Sequence, residues 1–195
     1  DLKDLSHVTQ SEYASKHLKN LGFKFTYLGD YLPDIFFENL KTSQIKKDVV
    51  LYNPKKGLPY INKLKSISPD IKFKAIENMS QTELKKLLST SKVYVDFGHH
   101  PGKDRIPREA LMSGCCVITN TKGSAKNGID IPILSKYKIH LNDKDYLIKA
   151  KALINDCFVN YEKSISEFNN YRNVIINQKS EFIKNVEVFI KSHNL

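Results

Sequence analysis

The apolar run VYVDF at residues 93–97 leads into a short charged loop, and a second apolar run, CCVIT at residues 115–119, follows the helix-like stretch IPREALMS. Strand, helix, strand in that order is the unit of a parallel sheet, because parallel neighbours need a long crossover between them. The rhythm continues on both sides. DVVLYN (48–53) reads as a strand, PKKG as a turn, and LPYINKLKSIS as a helix that stops before Pro69. IKFKAI (71–76) is a strand with alternating apolar positions. Ser80 heads the helix QTELKKLLSTS, and Glu83 three residues on makes a capping box. KIHL (138–141) is a last short strand after the loop GSAKNGIDIPI, and residues 143–192 read as helices, clearest in DYLIKAKALINDCF and VIINQKSEFIKNVEVFIKS. The pattern predicts an α/β fold: a parallel sheet covered by helices on both faces, with trailing C-terminal helices.

Upstream the pattern is shorter. HVTQ reads as a strand and SEYASKHLKNL as a helix, with Ser11 as its N-cap and Gly22 just past its end. FKFTYLG is a second strand, and DYLPDIFFENL, holding Pro33, an irregular connector. Residues 1–40 are thus expected to be the last strand–helix unit and linker of a preceding domain, and residues 41–195 the sheet domain with its C-terminal helices. The chain opens in mid-pattern at Asp1, which suggests a fragment.

The 195 residues make one ordinary domain, or one domain and a piece of another. A domain of that size buries roughly 70% of its unfolded surface, so it needs no staples. Apolar content is 41% and charged content 27%, as in globular domains. No run approaches the roughly 20 apolar residues of a membrane span, and no signal-peptide pattern opens the chain. Three cysteines, two of them the adjacent Cys115 and Cys116, do not make a disulfide framework, and the pair reads as two small buried side chains. A cytoplasmic location is expected.

The net charge of +10 suits an anionic partner, although heavy Lys, Asn and Ile usage can also follow from an AT-rich genome. Arginine placement is more informative. The only arginines are Arg105, Arg108 and Arg172, and two of them fall in the loop-and-helix stretch after VYVDF. Arginine offers a planar fork of donors that matches phosphate or carboxylate, which lysine does not.

In open parallel sheets ligands bind beyond the carboxyl ends of the strands. Three loops leave such ends: NPKKG, GHHPGKDRIPRE and NTKGSAKNG, each with glycine and cations. Pro107 suits a first helical turn, where its missing N–H costs nothing. The free N–H groups of that turn and its positive end form an anion site. The loop charge therefore predicts a polyanionic ligand held against the sheet. A carboxylate within this cationic ring, Glu109, is placed to accept from sugar hydroxyls.

These stretches resemble a known family. REALMSGCCVITN is similar to the EAMACGTPVI signature of nucleotide-sugar-dependent glycosyltransferases of the GT-B fold. VVLYNPKKG is similar to the first strand and Lys-Gly turn of that family's C-terminal domain, and SEYASKHLKNLGF…LGDYL to the end of its N-terminal domain. The agreement covers most of residues 5–135 and points to bacterial enzymes of polysaccharide or lipopolysaccharide assembly. The resemblance implies a Rossmann-like domain, one half of a GT-B fold, that binds a nucleotide-diphosphate sugar as donor substrate and passes its sugar to an acceptor glycan or lipid-linked glycan. It implies ribose binding by Glu109 and a diphosphate contact by Lys56. Lys103 and Arg105 lie by geometry where the donor's phosphate or sugar would sit. Retaining members carry another glutamate eight residues upstream of Glu109; here that position is Pro101, and HHPGKDR stands where EGFG is usual. No cofactor and no metal are implied, and no further His or Cys sits at ligand spacing from His99 and His100.

Other readings of the same residues stay open. His99 and His100 can contact a diphosphate, act as a base, or be structural residues of a turn. Lys55-Lys56-Gly57 can be a plain surface turn. Arg105, Arg108 and Glu109 can form an ion-pair network that staples the loop. Asp96 can bond loop amides. Gly123 and Ser124 can present N–H groups to phosphate or only turn the chain. The terminal helices are expected to cover the core, with peripheral contact to an anionic membrane, on the inner face of the plasma membrane, as a further possibility. A nucleotide-sugar epimerase of the same fold is the nearest alternative function. A non-catalytic nucleic-acid-binding module is another, but the cations cluster at strand ends rather than along one face, so no nucleic acid is expected as partner.

Overall fold

The computed structural model describes residues 5–38 and 45–193. Five parallel strands form the main sheet: β3 (Lys47–Tyr52), β4 (Lys72–Ala75), β5 (Ser91–Asp96), β6 (Cys116–Asn120) and β7 (Lys138–Ile139), in the order β4-β3-β5-β6-β7. Helices α2 (Leu58–Ser66), α3 (Gln81–Ser89) and α4 (Arg105–Met112) are the crossovers, and α5 (Tyr146–Val159), α6 (Tyr161–Ser166) and α7 (Asn169–His193) follow. Upstream, β1 (His7–Thr9) and β2 (Phe25–Tyr27) pair in parallel around α1 (Glu12–Asn20).

The main sheet is buried on both faces, as parallel sheets are. Val49, Val50, Leu51 and Tyr52 of β3 are all buried, as are Val93, Tyr94 and Val95 of β5 and Cys116, Val117 and Ile118 of β6. Register places Val50 beside Val93, and Val93 beside Cys116. Cys115 and Cys116 are both buried. The predicted capping box is present: Ser80 accepts from the Glu83 N–H, and Glu83 accepts from the Ser80 N–H. Ser11 caps α1 as expected. Tyr171 and Ile175 of α7 and Ala150, Ile154 and Cys157 of α5 join the core, so these helices do cover it. Among the described residues no helix is long and apolar enough to cross a membrane.

The connector expected to be irregular contributes more than a link. It contains a 3₁₀ turn (Asp34–Phe36), and its Leu32 and Phe36 are buried in the main core. The expected boundary between residues 40 and 41 lies outside the described residues.

Two buried charges fasten the N-terminal unit to the sheet domain. The Asp130 carboxylate, which lies beyond β6, accepts from the N–H groups of Glu12 and Tyr13 at 2.8 and 2.9 Å. A carboxylate at a helix start satisfies free donors and complements the helix dipole. Arg108 of α4 is 0% exposed. Its Nη2 donates to both Asp30 oxygens at 2.9 and 2.8 Å and to the Lys103 carbonyl at 3.0 Å. Its Nη1 donates to Gln178 of α7 at 2.8 Å, and its Nε to the Asp104 carbonyl at 3.3 Å. One guanidinium thus joins the connector, the loop after β5 and the last helix. Of the readings the sequence leaves open for Arg108, the structure shows the ion-pair staple, with Asp30 as the partner.

Two glycines set how closely the sheet's loops approach. Gly57, at φ 65°, backs onto Phe97, whose carbonyl carbon a Cβ would meet at 2.5 Å. Gly123, at φ 62°, backs onto the His100 carbonyl, where a Cβ would come to 2.0 Å. Left-handed backbone costs a non-glycine residue about 1–3 kcal/mol, before any clash.

Two outcomes test this architecture in urea denaturation. Arg108→Leu leaves a carboxylate and carbonyls without their donor, and should cost about 3–5 kcal/mol, against about 1 kcal/mol for Ser80→Ala at the cap. Equal losses would mean that Arg108 is not the joint. Gly123→Ala should cost at least about 1–3 kcal/mol, whereas Gly128→Ala, with nothing within 4 Å of its added Cβ, should be close to neutral.

Candidate functional site

From β3 the chain steps outward to β4, while β5, β6 and β7 build in the other direction. The strand order reverses between β3 and β5, and a crevice opens beyond the carboxyl ends at such a switch point. The loops after β3, β5 and β6 meet there. Gly98 packs on Lys56, whose Cβ a side chain at Gly98 would approach to 2.5 Å. Asn120 donates to the Gly98 carbonyl at 2.6 Å and accepts from the Lys122 N–H at 2.7 Å. Ser124 donates its N–H to the His100 carbonyl at 2.8 Å and its hydroxyl to the Gly102 carbonyl at 2.6 Å. The three loops expected on one edge of the sheet do lie together.

The loops after β3 and β5 bound a cleft of about 360 Å³, and the loop after β6 braces the loop after β5 through Asn120 and Ser124. Gln10 and Asp30 line it from the N-terminal unit; Asn53, Lys56, Lys103 and Arg105 line it from the sheet domain. A larger cavity, about 1200 Å³, opens near the amino ends of the strands around Lys46, Ser113 and Arg172. The smaller cleft is the stronger candidate, because ligands of parallel sheets bind at carboxyl ends. At the other end the Lys46 ammonium is already taken by the carbonyls of Leu88, Ser91 and Ser113.

The expected cationic ring is instead interleaved with acids. Lys56 Nζ lies 2.7 Å from Asp104 Oδ2. Arg105 Nη2 is 3.5 Å from the Glu109 carboxylate, and Arg108 is held by Asp30. Lys103 donates to the Tyr27 hydroxyl at 2.6 Å and sits 5.3 Å from that ring's centre. Burial alone would raise the Asp104 carboxyl, but its contacts with His100 and Lys56 hold it below the usual range. Burial raises the Glu109 carboxyl, with the charges of Arg105 and Arg108 opposing.

His100 is fully buried, between two carboxylates. Its Nδ1 lies 2.7 Å from Asp104 Oδ2, and its Nε2 lies 3.6 Å from Asp96 Oδ1. Neither contact meets directed hydrogen-bond geometry at the ring nitrogen. Asp96 accepts from the Gly98 N–H and the Tyr94 hydroxyl, each at 3.0 Å, so it does bond a loop amide. Asp104 occupies the N-cap position of α4, yet its side chain makes no capping bond. Its carboxylate is drawn away to Lys56 and His100. Asp96, His100 and Asp104 bring one ligand-type atom each within 4.8 Å of one another.

The residues singled out from sequence therefore separate. Lys56, Lys103 and Arg105 face the cleft. Glu109 is buried one helical turn behind Arg105 and does not line it. His99 is exposed, edge-on to the Tyr13 ring at 6.2 Å. Gly123 and Ser124 brace the His100 backbone, and the Ser124 N–H is engaged there. Gln10, Asp30, Asn53 and Asp104 were not anticipated. Only Asp104 carried a local signal, a carboxylate four residues after a histidine and directly before a helix.

No family model matches the chain, and no curated protein matches it. Solved structures do. Anabaena HepE, described in complex with UDP-glucose, superposes with a TM-score of 0.64 at 11% identity, over 94% of this chain and 63% of that one. Staphylococcus aureus TarM, described with UDP and glycan ligands, gives 0.68 at 15%, over 94% and 43%. Sucrose-phosphate synthase of Thermosynechococcus elongatus gives 0.67 at 10%, over 97% and 58%. The chain spans about half the length of these proteins, all of which are glycosyltransferases of the GT-B fold. Its fold is therefore that of one half of a GT-B glycosyltransferase.

Proposed function

We propose that this chain is the donor-binding half of a glycosyltransferase, which moves a sugar from a nucleotide-diphosphate sugar to an acceptor hydroxyl. The observation that carries this reading is the cleft at the switch point between β3 and β5, in a fold shared with structures described with UDP, UDP-glucose or ADP. In the reaction the bond from the anomeric carbon to the donor phosphate oxygen breaks, and the acceptor oxygen bonds to that carbon. Charge builds on the departing diphosphate, where fixed cations stabilise it most. Lys56, Lys103 and Arg105 line the cleft and are the proposed contacts, Lys56 to the diphosphate and Lys103 and Arg105 to the donor's phosphate or sugar.

Glu109 is the proposed ribose contact. Its route from the cleft runs past Arg105, which is half-exposed and holds Glu109 only at 3.5 Å. Ribose hydroxyls would take the place of that long contact. An acceptor glycan or lipid-linked glycan, in bacterial polysaccharide or lipopolysaccharide assembly, is the proposed setting, with the chain cytoplasmic or peripheral to the inner membrane face. Alone, the chain is expected to bind donor without turnover.

A melting series tests the reading. UDP or GDP at 100 times Kd should stabilise the folded chain by about 2.7 kcal/mol, and single-stranded DNA should not. No shift with any nucleoside diphosphate at millimolar concentration would refute it. Titration of variants assigns the roles. Lys56→Ala should weaken nucleoside diphosphate and leave nucleoside binding unchanged. Glu109→Gln removes a charge-assisted bond worth roughly 1.5–3 kcal/mol, so affinity for nucleoside and nucleotide alike should fall about tenfold or more. If Glu109→Gln melts lower but binds nucleoside as before, its role is structural.

A further inference from the structure

The cations that line the cleft are not equally free to meet a ligand. Arg105 is half-exposed and 3.5 Å from its carboxylate, and Lys103 donates to a neutral hydroxyl, that of Tyr27. Lys56 is held more closely. Its Nζ lies 2.7 Å from Asp104 Oδ2, and the same oxygen lies 2.7 Å from His100 Nδ1. Asp104 itself lines the cleft. Burial raises its carboxyl, but the contacts with His100 and Lys56 hold it below the usual range, so it is an anion in neutral solution. A negative charge already stands on the lysine that a diphosphate needs.

We propose that Asp104 is an internal competitor of the donor's diphosphate: its carboxylate occupies Lys56, and the diphosphate binds by displacing it to the amino end of α4. Three observations carry this. The first is the shared ammonium. Two anions on one lysine in a partly buried cleft repel each other, and one of them is favoured to leave. The second is that Asp104 has a place to go. It is the N-cap residue of α4, with the extended backbone (φ −60°, ψ 142°) that capping uses, yet its side chain makes no capping bond. Pro107, third in the helix, has no N–H, so the Ile106 N–H is the first-turn donor that the carboxylate can reach. Aspartate is among the best N-caps, and its contacts with Lys56 and His100 outweigh that role here because they are charge-assisted. A diphosphate that takes over Lys56 removes the larger of these attractions and leaves the cap.

The third observation is that a side-chain rotation suffices. The stem of Lys56 packs on Gly98, and Ser124 holds the carbonyls of His100 and Gly102, so the lysine and the loop backbone stay where they are. His100, buried between two carboxylates, gives up Asp104 and keeps Asp96 3.6 Å from its Nε2. The exchange makes the cleft selective. A nucleoside offers Lys56 no charge and cannot release Asp104, whereas a diphosphate can.

Because this exchange rests on the donor-binding reading, the test keeps the two apart. Calorimetric titrations with UDP, inorganic pyrophosphate and uridine compare the parent chain with Asp104→Asn and Asp104→Ser. Asn and Ser both cap helices well, so α4 keeps its start while the competing charge is gone. Both variants are expected to bind UDP and pyrophosphate about tenfold tighter or more, with uridine binding unchanged. If Asp104 instead orients Lys56 for the phosphate, the variants bind UDP more weakly. UDP binding by the folded variants that is equal to the parent's, or weaker, would overturn the competitor and leave the donor reading standing. No binding of UDP or pyrophosphate by parent or variants would overturn both. The contest for Lys56 has its own check. In a Lys56→Ala background, Asp104→Asn should lose most of its gain, and an undiminished gain would overturn the exchange at that lysine.

Discussion

The Arg108 guanidinium is the interaction on which the rest of the structure depends. It is fully buried, and its donors reach three segments: the connector at Asp30, the loop carbonyls of Lys103 and Asp104, and α7 at Gln178, the first and last of them 78 and 70 positions away. A buried charge of this kind is stable only when its donors are all but fully satisfied. Satisfying it fixes where the N-terminal unit sits, how the loop after β5 turns, and where α7 passes. Gln10 and Asp30 line the cleft because of that docking, which Asp130 reinforces at the start of α1.

The cleft then follows from two constraints that agree. The strand order reverses between β3 and β5 and leaves space beyond their ends. Close backbone contacts at Gly57, Gly98 and Gly123 keep the three loops packed together, with the Asn120 and Ser124 side chains tying the loop after β6 to carbonyls of the loop after β5. A site braced in this way changes little on ligand entry and loses little entropy in binding. What it lacks is net charge, because each cation has been folded against an acid or an aromatic hydroxyl.

Much of the fold was legible in the sequence. The alternation of apolar runs and helical stretches, the Ser80–Glu83 box, the Ser11 cap and the glycines after helices are local signals, and local signals survive folding. The site was legible only in outline. Arg108 stood out as an arginine among lysines, but its partner Asp30 lies 78 positions away, so sequence could not tell a ligand contact from a staple. Asp104 read as one charge in a crowded loop. Its pairing with Lys56 spans 48 positions and is decided by the approach of two loops in space. Phe36 and Leu32 looked like part of an irregular connector because their burial depends on packing against the finished sheet domain, not on any periodic pattern of their own.

The claim central to this account is that a nucleoside diphosphate binds at the carboxyl ends of β3 and β5. A ¹H–¹⁵N correlation titration with UDP tests it residue by residue. The account expects the largest shifts at the amides of Lys56, Gly98, His99, Lys103 and Arg105, with little change at the opposite end of the sheet. Shifts confined to the amides around Lys46, Ser113 and Arg172 would contradict it.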